Sequence, residues 1–184
     1  MKALWAALAM LPVQAAALDC RDVMWLEQSF TICEVDLTQE RIETFLRDDD
    51  GEVLGTFDAV RQEADAPVLM AMNAGMYHAD RSPVGLYIED GITEQRLIES
   101  AGPGNFGLLP NGVFCVTPSG VHVVETFDFG NDTPPCEYAS QSGPMLVMGE
   151  DLHPRLIPGG TSRYIRNGVG MEYGTGRVVF AISN

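Results

Sequence analysis

Hydrophobic residues recur in short runs separated by turn signals, a pattern that predicts many strands and few helices. One hairpin is predicted over residues 23–37, with Phe30, Ile32 and Val35 facing inward. A second pairs 113–116 with 121–124 across the turn residues 117–120. The remaining predicted strands are the apolar runs at 68–72, 84–88, 145–148 and 178–182, of which 68–72 is expected to be fully buried.

Between these runs, Thr56 is placed to cap a short helix that continues through Ala64 and ends before Pro67. Residues 41–46 fit either a helix or a strand, and a turn is predicted at 48–51 and at Asn111-Gly112. The 19 Gly and 11 Pro residues agree with many turns. The predicted class is α+β, a β-rich single domain of mixed sheets with few short helices.

The first seventeen residues have the organisation of a secretory signal peptide. Met1-Lys2 is a short basic start, 3–13 is apolar, and 15–17 are the small residues of a cleavage site. The apolar run is too short for a stable membrane anchor. We therefore expect residues 1–17 to be removed, residues 18–184 to form the mature domain without a membrane span, and the protein to be periplasmic or secreted.

Export makes disulfides the expected state of the four cysteines. Three pairings are conceivable, and we favour the local one, Cys20–Cys33 with Cys115–Cys136, because each pair flanks a hairpin or loop. A zinc site of four thiolates is disfavoured, since no two cysteines show the close spacing that such sites use.

The formal charge of −15 limits the classes of partner. A basic stripe for nucleic acid is missing from the sequence, and the sole lysine, Lys2, leaves with the signal peptide. An anionic substrate would have to be met by individual arginines against an unfavourable long-range field. We expect neither a metal nor a cofactor: His78 and Asp80 lack a defined third ligand, and the G-x-G-x-x-G of 102–107 has no helix to open.

Three stretches combine polar, small and aromatic residues where a plain core would need only hydrophobes: 73–87, 141–144 and 163–170. Asn73 and Gly75 follow a predicted buried strand, so an amide and bare backbone can face a ligand. Arg163 and Arg166 lie among glycines, and arginine binds phosphate or carboxylate oxygens bidentately. The plainer alternatives are a turn at 141–144 and a surface ion pair for either arginine. Ser142 lacks the G-x-S-x-G elbow of a serine hydrolase.

Taken together, these stretches resemble the phosphodiester glycosidase family, the bacterial relatives of the lysosomal uncovering enzyme. The matching pieces occur in family order from about residue 20 onward: Ala71–Tyr77, Ser82–Tyr87, Gly102–Phe106, Pro110–Phe114, Gln141–Val147 and Arg163–Gly170. The resemblance implies an exported enzyme that hydrolyses a sugar-1-phosphodiester, typically of N-acetylglucosamine, in envelope or extracellular glycans.

The resemblance also implies roles for individual residues. Arg166, with Arg163, would neutralise the phosphate leaving group, an electrostatic role of the oxyanion-hole kind. Asn73, a further catalytic candidate, would orient sugar hydroxyls or the acetamido group together with Asn105 and Gln141. The remaining candidates for binding a carbohydrate phosphodiester are Gly75, Tyr77, His78, Ser142 and Gly168. Because an oxocarbenium-like transition state usually needs carboxylates on both sides of the sugar, Glu172 and Asp80 are the candidate catalytic carboxylates.

One departure from the family pattern concerns the end of the chain. The family normally continues with an Asp-Gly-rich segment, whereas this sequence stops at Ile182-Ser183-Asn184, on a strand expected to lack a neighbour. We therefore expect a fragment, the other interpretation being a catalytically incomplete protein. The alternative function is a non-catalytic periplasmic protein that binds glycans or sugar phosphates, and a purely structural domain is the weakest hypothesis. The natural glycan and the oligomeric state stay open.

Overall fold

The hydrophobic runs form antiparallel sheets in the computed structural model, which describes residues 18–157, 159–160 and 164–184. The predicted signal peptide at 1–17 and Arg163 lie outside these residues. The strands are β1 (Asp19–Trp25), β2 (Gln28–Val35), β3 (Tyr87–Glu89), β4 (Ile92–Gln95), β5 (Gly112–Thr117), β6 (Gly120–Glu125), β7 (Tyr138–Ser142), β8 (Val147–Met148), β9 (Asp151–Leu152), β10 (Asn167–Met171) and β11 (Val178–Ser183).

Two short helices accompany these strands in the described part of the chain, α1 (Phe57–Glu63) and α2 (Thr126–Asn131). Thr56 caps α1 as predicted, its hydroxyl accepting the N–H of Ala59 at 3.2 Å. Helix α2 was not predicted; the Glu125 carboxylate caps it by accepting the N–H groups of Phe127 and Asp128. Within the described residues no helix has the length and apolar character needed to cross a membrane.

The strands form a four-stranded sheet in the order β1-β2-β11-β10, a five-stranded sheet in the order β4-β3-β7-β5-β6, and the small pair β8-β9. The predicted β-rich class with few short helices is confirmed. Every pairing between these strands is antiparallel, so the expectation of mixed sheets is corrected. Strand β11 lies between β2 and β10, so the expectation that it lacks a neighbour was also wrong.

The core has two parts because β5 is buried on both faces. Val113 and Cys115 pack with Phe129 of α2 on one face. On the other face, Phe114 meets Phe180 of β11 edge-on, with ring centroids 6.1 Å apart. The five-stranded sheet is therefore a middle layer between α2 and the four-stranded sheet.

Three local predictions of secondary structure are wrong. Residues 68–72 are not a strand, and Leu69 is 59% exposed, so the predicted buried strand is wrong. Residues 41–46 are neither helix nor strand. Asn111 is fully buried directly before β5 instead of forming a turn, and it follows the cis peptide Leu109–Pro110. The apolar pattern located these segments but did not determine their hydrogen-bonding partners.

Both disulfides join the predicted local pairs. Cys20 and Cys33 face each other across the β1–β2 hairpin, while Cys115 in β5 is joined to Cys136. The second bond closes the longer loop, with a sequence separation of 21 against 13, and Cys115 is fully buried. The disulfides are consistent with an oxidising compartment outside the cytoplasm.

The buried disulfide should stabilise the fold more than the hairpin disulfide. Replacing Cys115 and Cys136 with Ala should lower the free energy of unfolding by about 3–5 kcal/mol, because a longer loop is freed and a core cavity is left. The matched change of Cys20 and Cys33 should cost about 2–3 kcal/mol. Denaturant unfolding of both variants compares the two values, and an equal or reversed loss would contradict this ranking.

Candidate functional site

The stretch 73–87 folds into one narrow loop rather than following a strand. Tyr77 and Pro83 form an isolated antiparallel bridge, and the N–H of Val84 donates to the carbonyl of Met76 at 3.0 Å. Nearer the tip, the N–H of His78 donates to the carbonyl of Ser82 at 2.9 Å. The first predicted binding stretch is thus a loop whose two sides are hydrogen-bonded to each other, with Asn73 and Gly75 at its base.

Asp80 organises the tip of this loop. Its carboxylate accepts the Ser82 hydroxyl at 2.7 Å and the Ser82 N–H at 3.0 Å, and these bonds lower the pKa of Asp80. The carboxylate is therefore ionised at neutral pH and holds no proton to donate as a general acid. His78 and Asp80 are both exposed at this tip.

An amide pair joins the loop base to the arginine-bearing stretch. The side-chain N–H of Asn167 donates to Asn73 Oδ1 at 2.6 Å, with a longer contact to the Asn73 carbonyl at 3.4 Å. Arg166 directly precedes Asn167, and its guanidinium lies over the Tyr164 ring, 5.1 Å from the centroid. The structure therefore brings the first and third predicted stretches together.

The second stretch lies beneath the same loop, where Gln141 supports it from inside the protein. The Gln141 side chain, 1% exposed, accepts the N–H groups of Leu86 and Ile98 and donates to the Ile98 carbonyl and the Thr126 hydroxyl. All of the hydrogen-bonding capacity of this amide is used within the protein. The geometry therefore gives Gln141 a supporting role, and its predicted contact with a sugar hydroxyl stays a prediction.

Glycine is required at two positions because Gln141 is so close. A Cβ on Gly75 would lie 2.8 Å from the Gln141 carbonyl oxygen. A Cβ on Gly85 would lie 2.6 Å from Gln141 Oε1 and 2.5 Å from the Phe106 ring. Phe106 thereby seats the 102–107 loop against the site.

A cleft of about 820 Å³ opens beside the loop base. Most of its lining is apolar, from both sheets and from the irregular segments 41–46 and 66–72. The 73–87 loop contributes Asn73, Gly75, Tyr77 and Arg81 to this lining. Arg81 was missed in the sequence; the available signal was that it is the one arginine within 73–87.

Other predicted residues do not reach the cleft wall. Asn105 is exposed on its loop, half-buried Ser142 pairs with Gly112 at the end of β7, and Gly168 lies in β10 near Leu146. None of the three is among the described residues that line the cleft. Their roles in substrate binding stay predictions.

The predicted carboxylate pair is separated. Glu172 follows the end of β10 farthest from Asn167, five residues and roughly 17 Å along the strand direction. The pKa of Arg21 is raised mainly by its hydrogen bond to Glu34, and Glu172 adds a smaller contribution. Glu172 therefore lies near a surface ion-pair group, whereas the carboxylates lining the cleft in the described part are Glu40 and Glu43.

Both cleft carboxylates have partners within the protein. Glu40 accepts the N–H of Asp36 at 3.0 Å, and Glu43 lies 3.5 Å from the Arg41 guanidinium. Across residues 18–157, 159–160 and 164–184, no three His, Cys, Asp or Glu side chains are grouped as a metal ion would require.

Comparison with known proteins identifies relatives of this chain. The family model for phosphodiester glycosidases matches residues 66–184, a range that contains every stretch of the site. The uncharacterized protein YigE of Escherichia coli (strain K12) is 37% identical over 188 residues, covering all of this chain and 72% of YigE. No solved structure matches the chain.

The contact between Gly75, Gly85 and Gln141 can be tested by adding one methyl group. Gly75→Ala and Gly85→Ala should each lower the free energy of unfolding by about 1–3 kcal/mol, because the added Cβ meets backbone or packed side-chain atoms. Gly170→Ala is the matched control, since no atom lies within 4 Å of its Cβ position. Thermal and denaturant unfolding measure the effects. A neutral Gly75→Ala variant would contradict the close contact.

Proposed function

We propose an activity for this chain, which belongs to the phosphodiester glycosidase family: the hydrolysis of a sugar-1-phosphodiester. In this reaction water attacks the anomeric carbon, and the bond from that carbon to the phosphate oxygen breaks. The leaving phosphate monoester takes the electron pair, and the proton lost by the water passes to that phosphate or to solvent. The products are the free sugar and a phosphate monoester. The proposed sugar is of the N-acetylglucosamine type, in an envelope or extracellular glycan reached after export.

The observation that carries this proposal is the bond between Asn73 and Asn167. It holds the loop base beside the Arg166 segment. Two adjacent chain segments therefore carry an amide, bare glycine backbone and a guanidinium. A sugar phosphodiester needs this combination, because amides bind hydroxyl groups and a guanidinium binds phosphate oxygens. The backbone of Arg166 is also fixed, since its N–H donates to the Ser183 hydroxyl at 2.8 Å.

In this mechanism Arg166 stabilises the charge that builds on the phosphate as the bond to the sugar breaks. Asn73 orients the sugar, and Tyr77, which is 49% exposed, offers a ring face for stacking. A phosphate monoester is a good leaving group, so the demand for a general acid is reduced. Asp80, ionised at the loop tip, holds no proton to donate, and the hydrogen bonds that lower its pKa also make it a weak base.

A second candidate function is supported by the separation of the carboxylates. Asp80 and Glu172 do not face each other across the cleft, and both Glu40 and Glu43 are engaged by neighbours. A protein that binds sugar phosphates without turnover would need the arginines and amides but no acid–base pair. Binding of N-acetylglucosamine-1-phosphate by calorimetry, without release of sugar from the diester, would favour this alternative.

The test of the enzyme hypothesis uses both anomers of the methyl phosphodiester of N-acetylglucosamine-1-phosphate. The wild-type protein should release free N-acetylglucosamine from one anomer. Arg166→Ala should lower kcat roughly 10²–10³-fold, because a preorganised group that stabilises developing charge is removed.

The matched control is Arg47→Ala, which removes the same charge at a turn where Arg47 donates to the Gly51 carbonyl. This variant should retain the wild-type rate, and circular dichroism should show both variants folded. Wild-type inactivity on both anomers would remove the enzyme hypothesis. Full activity of Arg166→Ala would remove the role of that arginine.

A further inference from the structure

Arg81 has a backbone conformation that its residue type disfavours. It lies at the tip of the 73–87 loop with φ of +70°, and its N–H donates to the His78 carbonyl at 2.9 Å. Glycine or asparagine adopts this left-handed conformation at lower cost than arginine. Strain of this kind is concentrated at active sites and ligand-binding loops, so the contacts of the Arg81 side chain bear on its role.

The Arg81 side chain is held over an aromatic ring. Its guanidinium carbon lies 4.9 Å from the centroid of Tyr77, and both residues line the cleft beside Asn73 and Gly75. Stacking of this kind fixes the plane of the guanidinium while its edge stays open to a ligand. The left-handed turn and the stacking together determine where the charge is presented.

Among the residues that the structure describes, no carboxylate forms an ion pair with Arg81. Within the same residues, the Arg81 side chain donates no hydrogen bond. Arg41, which lines the same cleft, is paired with Glu43 at 3.5 Å. The contrast is notable because the chain carries 26 acidic residues and 11 basic ones. A cation presented in this way at a cleft fits an anionic ligand.

We infer that Arg81, stacked on Tyr77, binds the non-bridging phosphate oxygens of the substrate where the 73–87 loop lines the cleft. The inference rests on the proposed function and adds to it a residue that recognises the phosphate group. A planar guanidinium can give two parallel N–H bonds to two phosphate oxygens. Arg81 then sets affinity for the bound substrate, whereas Arg166 acts on the charge that develops as the bond breaks.

The decisive variant is Arg81→Gly, because the inference predicts changes of opposite sign in stability and binding. The melting temperature should rise by about 2–4 °C, since glycine relieves the left-handed strain. The Kd for N-acetylglucosamine-1-phosphate, measured by titration calorimetry, should rise at least roughly tenfold through the loss of charge-assisted hydrogen bonds. In the hydrolysis assay KM should rise with kcat nearly unchanged.

Two further variants separate the effect on ligand binding from the effect of relieving backbone strain. Glu27 has φ of +64° in the turn of the β1–β2 hairpin, so Glu27→Gly should raise the melting temperature similarly without altering Kd. Arg81→Lys keeps the positive charge without the planar fork, and its Kd should fall between those of the wild type and Arg81→Gly.

Each outcome decides the inference. Wild-type affinity in Arg81→Gly overturns it, as does failure of the wild-type protein to bind the sugar phosphate. A fall in the melting temperature of Arg81→Gly overturns the strain argument, because it assigns the arginine a structural role. If the wild type binds the sugar phosphate and Arg81→Gly does not, while no diester is hydrolysed, the phosphate contact stands and the proposed enzymatic function fails.

Discussion

The candidate site depends on one buried amide. Gln141, itself 1% exposed, satisfies the N–H groups of Leu86 and Ile98 and the carbonyl of Ile98. A buried backbone group left without a partner costs about 1–3 kcal/mol, so losing this side chain would impose that cost at the buried Leu86 N–H. The same amide and its backbone carbonyl form the surface on which Gly85 and Gly75 rest. The loops that carry the candidate site residues can be irregular because the strand that supports them, β7, is regular.

This support explains why the site can be built from segments without regular structure. Residues 73–87 and 102–107 are loops, yet the Asn73–Asn167 bond and the contact of Phe106 with Gly85 tie each to a neighbour. Loops carry binding groups well when a rigid scaffold positions them. Here the scaffold is β7 and β5, whose residues Ala139, Val113 and Cys115 are fully buried.

The sequence predicted what depends on local pattern and missed what depends on distant partners. Hairpins such as 113–124 were found because alternation and turn residues are encoded within a few positions. The 68–72 run is as apolar as a buried strand, but no strand pairs with it in the described residues. Strand pairing depends on distant residues and cannot be predicted from the run alone. Likewise, the polar character of Gln141 marked it as important, while its burial depends on Leu86, Ile98 and Thr126. Arg81 was missed because residue type alone does not reveal a positive φ.

Because the net charge of the chain is negative, it matters for anion binding whether an arginine is paired with a carboxylate. At −15, the protein repels an anionic substrate at distances comparable to the Debye length of about 8 Å, so attraction has to come from contacts within the cleft. An arginine paired with a carboxylate would have to give up that partner before binding phosphate. Arg81 instead lies over the ring of Tyr77, which orients its guanidinium without cancelling its charge. In the proposed binding mode, this stacking keeps a cation available to an anion in a strongly acidic protein.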